Sequence, residues 1–85
     1  MIMEPLYTIN MQATGKNLKA LRVKNKFSVK DLQDYFGFPY PQAIYKWEWG
    51  QCLPELQNLI CLSRLYHVSV DDLIILNKPV ISYAA

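Results

Sequence analysis

Histidine and cysteine are nearly absent from this chain, and most metal chemistry is absent with them. Cys52, Cys61 and His67 are the whole supply, with Cys52 and Cys61 nine positions apart and His67 six further on. No four-ligand zinc spacing can be assembled from these. No metal site and no cofactor are therefore expected, and the cysteines read as reduced thiols at or near the core. Glycine is scarce too: three residues, none in a phosphate-cradling run. With one histidine and no nucleophile–base set, the chain does not read as an enzyme. The adjacent Asp71 and Asp72 read as the first turn of a helix rather than a metal site. No uninterrupted apolar run approaches about 18 residues, which excludes a membrane-spanning helix. The opening MIMEPLY lacks the basic start and long apolar stretch of a secretory signal, so a cytoplasmic location is expected. No internal repeat or low-complexity tract is visible.

What is present is ordinary globular composition: 85 residues, 52% hydrophobic and 19% charged. That excludes disorder and makes one small domain, which buries only about 60% of the surface its unfolded chain exposes. Strand-type alternation is confined to the ends, so the body reads as all-α.

The net charge is only +2, but its distribution is uneven. Lys16, Lys19, Arg22, Lys24, Lys26 and Lys30 fall in one stretch without an acidic residue, while residues 31–85 carry a net −3. Such a patch on a near-neutral body fits a phosphate-facing surface. A solvated helix face explains the same charges equally well.

Local signals divide the chain into five helices. The first is predicted from Gly15 to Asn25, with Thr14 as its cap and Leu18, Leu21, Arg22 and Asn25 on one stripe. Ser28 and Asp31 form a capping-box pattern for the second, which Gly37 ends. Pro39 and Pro41 shape the turn Phe38-Pro39-Tyr40, and Pro41 suits the first position of a third helix running to Trp49, stopped by Gly50. The fourth is predicted over 55–66, burying Leu56, Leu59, Ile60 and Ser63. Ser69 and Asp72 cap the fifth, which ends near Asn77, with Val68 and Leu73 placed as a hydrophobic staple. His67 falls in the connection between the last two. Residues 1–12 form an N-terminal arm, 13–77 the domain and 78–85 a C-terminal tail. Tyr7, Ile9 and Met11 alternate, and Val80–Tyr83 is β-prone. The two segments are candidates to pair with each other or with a second subunit, or to fray.

The third helix divides cleanly at about 100° per residue. Ile44, Trp47 and Glu48 share one side with Pro41, and the two large apolar residues assign that side to the core. Gln42, Tyr45, Lys46 and Trp49 share the other. An amide, a cation and two aromatics suit a DNA groove. Gln bonds adenine with two hydrogen bonds, Lys donates to guanine or phosphate, and Tyr packs on a thymine methyl or bonds a phosphate oxygen. Alternatively Tyr45 and Trp49 are covered by the termini or by another subunit. An inward Glu48 requires a counter-charge, and Arg22 on the inward stripe of the first helix is the natural one.

The ordered set Gly15, Leu18, Leu21-Arg22, Ser28, Leu32, Gly37, Ile44, Trp47-Glu48, Gly50, Pro54, Leu59, Leu62, Val68-Ser69 and Asp72-Leu73 resembles Cro/cI-type (Xre) helix–turn–helix domains, over roughly 15–75. The resemblance implies an all-α, five-helix, lambda-repressor-like bundle that binds operator DNA, usually as a homodimer. It also implies the Arg22–Glu48 pair. By position it implies base contacts at Pro41, Gln42, Tyr45 and Lys46, and phosphate contacts at Val29, Lys30, Gln51 and Leu53. The interval from Gly37 to Glu48 is one residue longer than usual in such domains. A transcriptional regulator, a repressor, is the function expected, with double-stranded DNA as partner and no small-molecule ligand or membrane. The dimer interface would fall on the fifth helix and the terminal segments. The competing function is a protein-interaction module using Tyr40, Tyr45 and Trp49 as its contact surface.

Overall fold

The structure, a computed structural model, describes residues 5–78. It is a bundle of five helices: α1 (Met11–Lys24), α2 (Val29–Phe36), α3 (Gln42–Glu48), α4 (Leu56–Leu65) and α5 (Val70–Leu73). The α2–turn–α3 unit is a helix–turn–helix. Among the described residues, β structure is limited to one antiparallel bridge between Ile9 and Leu76.

Two helices begin with reciprocal caps, as their sequences predict. Ser28 Oγ accepts from Asp31 N–H at 3.0 Å, and Asp31 Oδ2 accepts from Ser28 N–H at 2.8 Å. Ser69 and Asp72 repeat the pattern at 3.1 and 3.3 Å. Gly37 ends α2 with φ +70, the left-handed conformation that lacks a penalty only for glycine. The chain then turns back: Gly37 N–H donates to Asp34 O and Phe38 N–H to Gln33 O. That return lays Phe38 against Phe36, stacked at 5.2 Å, and both rings meet Trp47 edge-on at 5.8 and 5.6 Å. The α2–α3 turn is thus fixed by aromatic packing on α3.

Four expectations about element ends and burial are corrected. First, α1 starts at Met11, not Gly15, and its cap is Asn10, whose Oδ1 accepts from Ala13 N–H at 3.0 Å. Thr14 lies inside the helix, 1% exposed. Its hydroxyl accepts from Ile75 N–H at 2.9 Å and donates to Ile75 O at 3.3 Å. Second, α5 stops at Leu73. Ile74 is extended (φ −99, ψ 125), and the chain runs back along residues 8–10. Asn10 N–H donates to Ile75 O and Asn77 N–H to Thr8 O, each at 2.8 Å. One arrangement left open for the ends, pairing of Tyr7–Met11 with Val80–Tyr83, has its second half outside the described residues; Ile9 pairs with Leu76, and Met11 is helical. Third, α4 buries Leu59, Leu62 and Ser63 but leaves Leu56 and Ile60 exposed, because no described element covers that side. Fourth, Cys52 is exposed in the α3–α4 loop rather than near the core, while Cys61 is half-buried.

The core joins all elements: Leu18 of α1, Leu32 of α2, Ile44 and Trp47 of α3, Leu59 and Leu62 of α4, Tyr66, and Leu73 of α5. Ile44 and Leu73 are fully enclosed, so truncating either would cost about 2–5 kcal/mol.

Candidate nucleic-acid interface

One side of α3 is locked to α1. Arg22 Nε donates to Glu48 Oε2 at 2.7 Å and Nη2 donates to Oε1 at 3.0 Å, with the side chains only 11% and 6% exposed. Nη1 donates to Phe27 O at 2.9 Å. Each guanidinium nitrogen thus has a partner, and the hydrogen bond that Arg22 donates to Glu48 raises its pKa against the opposing effect of burial. Burial also pushes the Tyr66 phenol well above its ordinary value, and the nearby Glu48 charge adds to that while Arg22 opposes it.

Two glycines let α1 and the end of α3 approach. A Cβ on Gly15 would lie 2.6 Å from Glu48 O and 2.8 Å from Gly50 N. Gly50 itself has φ +75, and its Cβ would meet Met11 O at 2.8 Å. The ion pair and this backbone contact together set the direction of α3.

The opposite side of α3 faces out. Gln42, Tyr45, Lys46 and Trp49 are all exposed. Tyr45 and Trp49, one turn apart, stack with ring centroids 5.5 Å apart and planes at 21°. Helix α3 is shorter than the predicted 41–49: Pro41 stands at the N-cap, half-buried, and Trp49 at the C-cap. Tyr40, in the turn just before, is 69% exposed.

The flanking residues are placed less uniformly. Val29 packs partly on the core and Leu53 is half-buried. Lys30 is exposed at the start of α2, with Nζ 2.6 Å from Asp34 Oδ1. Gln51 is exposed, and its backbone N–H donates to Lys46 O at 2.9 Å, which leaves the side-chain amide as its available donor. Within the basic stretch, Lys16, Lys19, Lys24, Lys26 and Lys30 are exposed, while Arg22 belongs to the internal pair. Gly15 and Arg22 aim at α3, and Lys19 lies about 40–60° further round α1, on the exposed flank beside α3. No group of three or more metal-ligating side chains occurs among the described residues, and no helix there is long and apolar enough to cross a membrane.

Three contributors escape a reading of local pattern. Gly15 is needed for a close approach between segments distant in sequence. Thr14 bonds residue 75. Asn17 Nδ2 donates to Asp72 O and Leu73 O at 2.8 and 3.1 Å, satisfying the end of α5. The Lys30–Asp34 pair, by contrast, carries a local signal, the i,i+4 spacing of opposite charges.

No protein-family model matches the chain, and no curated protein matches it in sequence. Among solved structures it is similar to the BldD DNA-binding domain of S. venezulae, with a TM-score of 0.63 and 21% sequence identity, over 76% of this chain and 96% of that one. At that identity the likeness establishes the shared helical fold.

Proposed function

We propose that this chain is a sequence-specific DNA-binding regulator of transcription, of the Cro/cI type, without catalytic activity. The observation that carries the reading is the outward side of α3: Gln42, Tyr45 and Lys46 stand exposed on a helix whose other side is fixed by Ile44, Trp47 and the Arg22–Glu48 pair. Its fold likeness to a DNA-binding domain supports the same reading. In this account Pro41, Gln42, Tyr45 and Lys46 meet base edges in the major groove. Val29, Lys30, Gln51 and Leu53 meet phosphates, and the lysines of α1 add sequence-independent attraction. The domain read from the sequence as 13–77 takes in residues 8–12 as well, because α1 begins at Met11 and residues 8–10 pair with 75–77. It acts in the cytoplasm as a repressor, and a homodimer supplies the second half-site that useful specificity needs.

Selection of bound sequences from random duplex DNA tests this. An inverted repeat among the winners supports a dimeric reader; failure to enrich any sequence contradicts it.

The second reading, a protein-interaction module, draws on the exposure of Tyr40, Tyr45 and Trp49. Salt separates the two. DNA affinity falls steeply between about 50 and 200 mM salt, whereas an aromatic protein interface barely responds.

A further inference from the structure

Two of the four exposed side chains on the outward side of α3 and its C-cap are aromatic, and they are already assembled. Trp49 stacks on Tyr45, leaving Tyr45 38% and Trp49 63% exposed. Helical side chains lean toward the N-terminus, so Trp49 covers the C-terminal face of the Tyr45 ring. By the same lean the other face lies on the N-terminal side, where Gln42 stands one turn back. Held this way, the ring loses little freedom on binding.

The floor of the major groove offers hydrogen-bonding base edges and one kind of apolar group, the C5-methyl of thymine. Cytosine methylated at C5 presents the same group at the same place. Gln42 and Lys46 match the polar edges. The face of an aromatic ring matches the methyl.

We propose that α3 reads a pyrimidine C5-methyl group in the major groove through the face of Tyr45, and that Trp49 is the positioning residue that holds that ring. This rests on the DNA-binding reading above. Gln42 and Tyr45 are separated by about 4.5 Å along the helix axis, against about 3.4 Å per base pair. The methyl therefore lies within two base pairs of the one Gln42 contacts.

The test uses the 85-residue chain and a duplex it selects from random DNA. Each thymine is replaced in turn by deoxyuridine, which removes only the methyl. Each cytosine is replaced in turn by 5-methylcytosine, which adds only the methyl. One position per half-site should respond by about four-fold, the effect of burying one methyl group. Weakening by deoxyuridine identifies thymine as the source; strengthening by 5-methylcytosine identifies the methylated base. Tyr45→Ala should erase that ratio and Tyr45→Phe should keep it. Trp49→Ala should shrink the ratio, where a purely structural role would weaken methylated and unmethylated duplexes alike. A salt-sensitive complex in which no position responds overturns the methyl proposal and leaves DNA binding standing. An unchanged ratio in Trp49→Ala overturns the positioning role. Failure to select any duplex overturns both readings.

Discussion

Arg22 and Glu48 face each other in a bidentate pair, 2.7 and 3.0 Å, at the crossing of α1 and α3. The third guanidinium nitrogen holds Phe27 O, in the connection from α1 to α2. One side chain thus ties together the scaffold helix, the path into the helix–turn–helix and the exposed helix.

Breaking that pair from one side leaves a buried charge without its partner. Glu48→Gln and Arg22→Met should each destabilise by about 3–5 kcal/mol. The double variant should recover part of the combined loss, which urea denaturation of all four proteins measures. Fully additive losses would argue against a direct coupling.

Gly15→Ala should also destabilise, although alanine favours helix by about 1 kcal/mol. The added methyl meets backbone atoms of Glu48, Trp47 and Gly50, which cannot rotate away. A net loss of about 1–3 kcal/mol in urea unfolding is expected. At Gly37 a Cβ meets nothing within 4 Å, yet φ is +70. Gly37→Ala should lose about 1–2 kcal/mol through conformation alone. A stable Gly15→Ala would mean α1 and α3 do not approach as described.

The two kinds of contact proposed with DNA should separate by variant. Gln42→Ala should cost about 1–3 kcal/mol at one base step and leave the others unchanged. Lys30→Ala should weaken matched and scrambled duplexes alike and reduce the salt slope by about one. Its exposed pairing with Asp34 contributes little and does not hold it from a phosphate. Binding titrations at several salt concentrations distinguish these outcomes. Equal losses on both duplexes for Gln42→Ala would count against base reading.

Tyr66 gives the fold an alkaline limit. Its phenol ionises at a higher pH in the folded chain than in the unfolded one, chiefly because it is buried. The unfolded chain releases this proton near pH 10 while the folded chain retains it, so stability falls as pH rises above about 10. Tyr66→Phe should flatten that part of the pH–stability profile. An identical alkaline slope in the variant would remove Tyr66 as its cause.

Much of the helix–turn–helix is legible in the sequence because its signals are local. The Ser28–Asp31 box, the left-handed Gly37 and the two-sided pattern of α3 are set by residues within a few positions of each other. Errors arise where distant segments decide. Thr14 has the chemistry of a cap, but Ile75, 61 residues away, takes its hydroxyl. Ile74 to Leu76 continue an apolar pattern that reads as helix, but pairing with residues 8–10 draws them out. Leu56 and Ile60 sit at helical spacing with Leu59, and hydrophobicity alone does not say which side of α4 is covered. The Gly15 approach and the Tyr45–Trp49 stack depend on three-dimensional placement, so periodicity identifies the residues without their roles.

The most direct measurement is NMR of the labelled protein titrated with its selected duplex. The side-chain amide of Gln42, the indole N–H of Trp49 and the backbone amides from Gln42 to Lys46 should shift most, with smaller changes at Lys30 and Gln51. Shifts confined to the Leu56–Ile60 side of α4, or none on α3, would contradict the assignment of α3 as the reading helix.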